Sequence, residues 1–406
     1  MSVLDYESAL ARSTTRGNWF SWAVFLGMSW TWCIGMFLPV LLVRDYGTWG
    51  WIAFAVPNVV GAAAMGFVLR QAASSNAIVL AHARTCCWFS LLTIAFHVFF
   101  AAWLNRLYPG LIVVAAGTAV AVYCVCRVQT AGDRLGAAGV AAISLVCMGL
   151  FVLRRRASAF TFEFPRVEVQ PLLVLACAMW FGFLFCPYLD LTFHRARQST
   201  TPSGSRLAFA VGFGVVFLSM ITFSLLYAGD VSGIGRFVPR GSHEPNRGLP
   251  WSTLVAIHLA VQSGFTVATH ARELVATETF SLPNRRFQVA LLMSAAALLG
   301  IVAMNWPQAL RSVSFLSSGE LVYRVFLGFY GLIFPAYVWL CMIPSRGRVP
   351  PNRRGLMIFA ASVLVAAPCF WLGFIEQKTI WLIPGLLIVL LARLGVPRRS
   401  EHQANL

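Results

Sequence analysis

Charge is scarce in this chain, and lysine almost absent. Only 11% of its 406 residues are charged, and of the 31 basic residues one is lysine, Lys378. A soluble globular domain is roughly one quarter charged, so a water-soluble fold is excluded and an integral membrane protein is indicated. Acids number 14 and form no metal-type cluster in the sequence. The ten cysteines lack zinc-site spacing and clustered histidine partners; they read as small apolar core residues, neither ligands nor disulfides. No metal or cofactor is expected. Long polar segments are missing too: the longest loop, Gly229 to Leu249, has 21 residues. Any function must then sit inside a helix bundle or at its mouths. Residues 1–18 are polar and the first apolar run is too long for a signal peptide, so none is expected.

What is present is apolar length. The chain is 59% hydrophobic, and a membrane span needs about 20 mostly apolar residues. Twelve candidate spans fall at 19–43, 48–69, 86–105, 108–126, 135–153, 171–194, 206–228, 251–271, 287–305, 321–343, 355–375 and 378–395. With both termini cytoplasmic, 19 of the basic residues lie on the inner side and 12 on the outer. That is the positive-inside bias, and it accounts for the net charge of +17 without nucleic acid. One loop objects: Arg154, Arg155, Arg156 and Arg166 fall outside on this count. The preference for arginine over lysine suggests a GC-rich bacterial genome, and hence an inner membrane.

One segment departs from a plain span: Pro171 to Arg197 carries Gly182, Pro187 and the carboxylate Asp190 before a polar flank. A helix in lipid must satisfy its backbone internally, and Pro187 removes one N–H and crowds the preceding turn. The helix should break near Gly182–Pro187 and restart at Pro187. The first span shows a similar layout. Trp32-Cys-Ile-Gly-Met-Phe-Leu-Pro39 aligns with Trp180-Phe-Gly-Phe-Leu-Phe-Cys-Pro187, and Ala53–Val56 aligns with Ala208–Val211. The offsets, 148 and 155, differ by one short loop. A unit copied after five spans re-enters the membrane from the opposite side, which makes an inverted repeat.

On Gly35/Pro39, Gly182/Pro187 and this span order, residues 19 to about 343 resemble the amino acid–polyamine–organocation superfamily, the five-plus-five inverted-repeat transporters. The resemblance implies an all-α polytopic fold. Its units would be a cytoplasmic segment 1–18, one five-helix repeat at 19–153, a second at 171–343, two added helices at 355–395 and a cytoplasmic tail at 396–406. It also implies alternating access, with a small organic solute held between the breaks of spans one and six. The substrate residues would be Trp30, Thr31, Trp32, Gly35, Phe181, Gly182, Phe185 and Asp190, with Phe183 a further aromatic wall. Sodium-coupled members often carry adjacent hydroxyls on span eight. Here Ser263 and Thr266 share a face but are not adjacent.

Na+ or H+ is the expected coupling ion, with Ser263 and Thr266 serving sodium and Asp190 and His194 serving a proton. These last two lie one helical turn apart, and Asp190 has no acidic counterpart in span one, where Leu42 stands. As a bare structural feature, Asp190 would be a stabilising acid at a helix start. His97 and His258 are intramembrane ionisable groups and so functional candidates, or neutral histidines bonded to backbone carbonyls. Asn58, after Pro57, reads as a helix distortion. A membrane-embedded transferase is the competing class, with the loop Asp230–Arg247 and its His243 and Glu244 as its one plausible host; a non-transporting sensor or assembly subunit is a third. The acid-containing signature of the major facilitator superfamily is missing between Arg70 and Arg84.

The charge bias generates a topological prediction. A reporter active only in the cytoplasm, fused after Leu406, is expected to be active; activity of an export-dependent reporter at that point would overturn the assignment.

Overall fold

The computed structural model describes residues 18–105, 107–154, 164, 168–231, 250–277, 283–306 and 316–396. The loop with His243 and Glu244, the arginine triplet's Arg155 and Arg156, Arg166, and both terminal segments lie outside the described residues. Among the described residues ten helices are long and apolar enough to cross a membrane, or eleven with one bent pair. That pair is α1 (Trp19–Trp30) and α2 (Cys33–Tyr46), which meet at 59°. There follow α3 (Thr48–Val68), α4 (Ala72–Leu104), α5 (Leu111–Val128), α6 (Gly132–Arg154), α7 (Val169–Phe185) and the short α8 (Leu191–Gln198). Then come α9 (Pro202–Gly229), α10 (Pro250–Ala276), α11 (Pro283–Asn305), α12 (Ser318–Ser345), α13 (Arg353–Ile375) and the 17-residue α14 (Thr379–Gly395).

Most spans fall where the apolar runs place them, but span three does not. It was expected at 86–105, yet α4 begins at Ala72 and runs for 33 residues, with non-helical dihedrals at His82. The Ser/Asn-rich stretch before Arg84 is helix because one side of it is buried: Ser75, Ile78, Val79 and His82 face the bundle. Ser75 reaches His194 of α8, with Oγ 2.7 Å from Nδ1. His82 Nδ1 lies 3.0 Å from the Tyr337 hydroxyl of α12. Tertiary partners here outweigh a polar local sequence.

The helices pack in exchanged pairs. The first span, α1 with α2, packs along α9, while α3 packs along α7. Likewise α4 packs along α11, and α10 along α5. Numbered as spans, one meets seven and two meets six; three meets nine and four meets eight. Glycines set the closest approaches. A Cβ at Gly61 would stand 2.7 Å from the Phe183 carbonyl, so α3 and α7 touch backbone to backbone there. Between α2 and α3 the chain reverses at Gly47, whose φ of 61° is the left-handed conformation that favours glycine.

α8 is polar for an interior helix, and its Arg197 is only 1% exposed. The guanidinium donates to the carbonyls of Leu69 and Arg70, at the end of α3, and to Thr200 O. A cation there complements the helix C-terminus and satisfies its free carbonyls.

The Gly61 contact yields a stability prediction. Gly61→Val forces two backbones apart and is expected to cost about 1–3 kcal/mol, the usual range for overpacking. Gly139→Ala, where an added Cβ meets nothing within 4 Å, serves as the neutral control. Thermal unfolding of the purified proteins compares them; equal stability of the two variants would refute the close contact.

Candidate functional site

Two helices are interrupted, the first ahead of the place that glycine and proline indicated and the second within it. In span one the break was expected near Gly35–Pro39. It lies at Thr31–Trp32, and Pro39 sits within an unbroken α2. Side chains here take over the bonds the helix gives up. Thr31 Oγ1 donates to Gly27 O at 2.8 Å, Ser29 Oγ to Leu26 O at 3.2 Å, and Trp32 Nε1 to Ser29 O. On the far side, the Cys33 N–H that opens α2 donates to His97 Nε2 at 3.1 Å. The other ring nitrogen, Nδ1, is 2.7 Å from Thr93 O and must donate to it. Those two bonds fix His97 as a neutral imidazole with its proton on Nδ1. Thr93 Oγ1 in turn lies 3.0 Å from the Tyr330 hydroxyl of α12.

In span six, α7 ends at Phe185 and a 3-10 turn follows at Cys186–Leu189. The helix restarts at Leu191, not at Pro187, and Asp190 is its N-cap. One carboxylate oxygen, Oδ1, accepts from Thr192 N at 2.8 Å and from Thr192 Oγ1 at 2.7 Å, which is the expected cap chemistry. The other, Oδ2, is buried without a hydrogen-bond partner. The two breaks meet directly, with Thr192 Oγ1 3.4 Å from Ser29 Oγ.

α12 shapes the third wall. It widens to π geometry at Phe329–Ile333, just before Pro335. In a π turn, the N–H of residue 335 would bond the carbonyl of residue 330, and proline has none. The Tyr330 carbonyl is thereby freed, accepts from Cys186 Sγ at 3.3 Å, and lies 2.9 Å from where a Cβ at Gly182 would be. Any larger residue at 182 would push α12 away from the break.

The predicted residues are only partly brought together. Trp30, Trp32 and Gly35 line one cavity with Ile34, Asn58, Phe183, Cys186 and Tyr330. The Trp30 and Trp32 rings lie 4.4 Å apart; Trp30 also packs on Phe193, and Trp32 on Phe89 and Tyr330. Gly182 borders a neighbouring apolar cavity against α12. Thr31 is occupied by its own helix. Phe181 and Phe185 pair with each other, and Phe185 packs on Trp339, so they face α12 rather than the tryptophans. His194 does not pair with Asp190: its ring reaches Ser75 Oγ and donates to Tyr188 O at 2.9 Å. Ser263 and Thr266 are buried on α10 with unpartnered hydroxyls, and no hydrogen bond ties them to the break.

Sequence reasoning missed the role of Asn58, whose Oδ1 accepts from Trp30 Nε1 at 2.6 Å. It also missed His97 as a cap, Tyr330, and Phe193. A signal existed for the first break: two hydroxyl residues spaced among tryptophans, S-W-T-W, each able to bond back to its own helix.

Charged clusters close both ends of the first span. At one end Arg44 of α2 makes paired bonds of 2.9 Å to Glu320 of α12 and also meets Asp45 at 2.7 Å. Arg324 joins through Glu320 at 2.6 Å and through Phe374 O of α13 at 2.7 Å. At the other end Arg195 of α8 joins Asp133 of α6 and Glu273 of α10, the latter at 2.8 Å. Arg195 and Arg134 also lie over the Trp22 ring of α1. Among the described residues no group of three or more His, Cys, Asp or Glu side chains could hold a metal ion.

The sequence matches no protein-family profile and no curated relative. Among solved structures, one similar chain is Mhp1, a nucleobase-cation-symport-1 family transporter in a closed conformation with bromovinylhydantoin bound. The similarity has a TM-score of 0.44 and 14% identity, and covers 95% of each chain.

The cap on α2 is testable. His97→Leu leaves the Cys33 N–H buried and unbonded, which costs about 1–3 kcal/mol. His97→Gln, which can still present an acceptor, is expected to recover part of that loss in thermal unfolding. Equal melting of His97→Leu and wild type would remove the histidine from this role.

Proposed function

We propose that this protein is a secondary active transporter, an alternating-access permease for a small organic solute coupled to Na+ or H+. The observation that carries the reading is the meeting of two interrupted helices, at Ser29 and Thr192, beside an aromatic-lined cavity. Broken helices inside a membrane bundle are tolerated where they line a cavity, and their ends offer free backbone groups to a solute or ion. Here the cavity is small, with room for about one water, so a solute would enter by displacing the aromatic rings that close it.

The exchanged packing supports a five-plus-five inverted repeat. Exchanging each span n with span n+5 turns the one–seven contact into six–two, and three–nine into eight–four. The charged clusters follow the same exchange. Arg44, after the first break, pairs with Glu320 at the head of span ten; Arg195, after the second, pairs with Asp133 at the head of span five. We read them as latches on opposite mouths, opened in turn. The N-cap carboxylate Asp190 is the acid placed at the second break. Its unpartnered oxygen suits a cationic or hydrogen-bond-donating group on the solute.

Purified protein in liposomes, tested with a panel of radiolabelled small organic solutes, is expected to accumulate at least one above the protein-free level. Asp190→Asn should abolish that uptake while expression and melting stay normal. Uptake of none of the panel would count against transport; full uptake by Asp190→Asn, with an unchanged pH profile, would reduce Asp190 to a helix cap.

A further inference from the structure

α10 is the most buried-polar helix of the bundle. His258, Gln262, Thr266, Thr269 and His270 are fully buried, and Glu273 is 8% exposed. At 100° per residue, His258, Gln262, Thr266, Thr269 and Glu273 fall within an arc of about 80°. The opposite side carries Gly264, where an added Cβ would meet Ala115 O of α5 at 2.4 Å. The polar line therefore faces inward, away from α5.

Buried polar atoms are almost always hydrogen-bonded, yet this line is short of protein partners. Both nitrogens of His258 have none, nor do Gln262 Oε1, Ser263 Oγ, Thr266 Oγ1 and His270 Nε2. His258, Gln262, Thr266 and His270 follow one another at one-turn intervals, with Ser263 next to Gln262. His258 sits against Phe223 and Tyr227 of α9. One turn on, Gln262 Nε2 reaches Ser144 of α6 at 3.1 Å and Met28 Sδ of α1 at 3.2 Å. His270 lies beside Trp32 at the first break and 3.0 Å from Ser90 Oγ. Glu273 ends the line in the ion pair with Arg195.

We propose that α10 carries a hydrated proton path from His258 to Glu273. The proposal rests on the transport reading for its purpose and names H+ as the coupling ion. Water bridging one-turn gaps would satisfy every orphaned atom in the line. The His258 imidazole takes a proton on its free nitrogen and becomes an imidazolium. It returns to neutral as a proton moves along the water and hydroxyl chain. The Glu273 carboxylate accepts that proton, loses its charge beside Arg195, and releases it to water at that mouth. The cluster joining α6, α8 and α10 is thereby loosened when the proton arrives. Other titratable groups bordering the line are Tyr227 of α9, His97 of α4, Cys33 at the head of α2, Cys126 of α5, Asp133 of α6, Arg195 with Asp190 at α8, and, on α10 itself, Arg272, 3.5 Å from Glu273. α1 contributes none. His97 is held neutral by its two bonds, so along this line His258 and His270 are the imidazoles with nitrogens to spare.

Full-length protein with 15N-histidine, placed in lipid nanodiscs, tests the path. The His258 ring signals, assigned by their loss in His258→Gln, are expected to exchange with water, as a hydrated path requires. A His258 ring shielded from water would overturn the proposal. In proteoliposomes, a potassium diffusion potential should drive proton entry above the protein-free level, read by a trapped pH dye. His258→Phe and Gln262→Leu should each return it to that level. Proton entry absent in wild type, or untouched by both variants, would also overturn it. Failure of the transport reading would appear separately, as absent solute uptake in the Asp190 experiment.

Discussion

An N–H group with no carbonyl in reach governs this architecture. Inside a bilayer such a group costs several kcal/mol, and the chain stops a helix twice in its interior. At the first stop His97 accepts the Cys33 N–H from across the bundle. At the second, Asp190 accepts the Thr192 N–H from its own chain. The two solutions differ in a way that matters. A neutral imidazole locked between two backbone groups has no spare capacity, whereas a carboxylate has a second oxygen. The first break is therefore finished by structure, and the second keeps an unspent acceptor at its centre.

The same economy governs the ends of the bundle. Isolated buried charges are costly, and a buried pair repays that cost only with good geometry and further hydrogen bonds. Glu320 receives bonds from both Arg44 and Arg324, and Arg324 also donates to Phe374 O. Arg195 is shared by two acids and lies over Trp22. Each cluster bridges helices distant in sequence, so helix movement at either end must exchange these bonds for water. Such clusters hold firmly when dry and yield when wetted, which suits them to two-position behaviour.

Much of the fold was legible because its signal is long. Twenty apolar residues announce a span whatever surrounds them, and α5, α6, α9 and α11 lie close to where composition puts them. The breaks were legible in number, and the second in place, but the first was displaced. Proline and glycine mark where a helix loses a bond, yet Pro39 is absorbed within α2, while Thr31 and Trp32, both ordinary helix residues, are where the chain opens. What decides this is non-local: His97 is 64 residues from the N–H it accepts, and no periodicity carries that. Trp30, Trp32 and Asp190 could be placed at the breaks because they flank a visible interruption. Asn58, Tyr330 and Phe193 were missed because each sits in an otherwise regular helix and is brought to the site by packing alone. His194 was misassigned for the same reason; helical spacing puts it one turn from Asp190, but Ser75 and the Tyr188 carbonyl draw its ring elsewhere.

The buried Arg197 has a consequence for how the protein is made. α8 carries two arginines in eight residues, a poor candidate to leave the translocon for lipid by itself. The carbonyl of Leu69 that accepts the Arg197 Nε belongs to a helix synthesised 128 residues earlier. α3 must therefore already be in the membrane, its C-terminal end exposed, when α8 leaves the ribosome. Insertion of α8 becomes a docking event onto a waiting partner, and the order of synthesis supplies that partner first. A circular permutant beginning just after α3 would reverse that order and present the arginine before its acceptors exist.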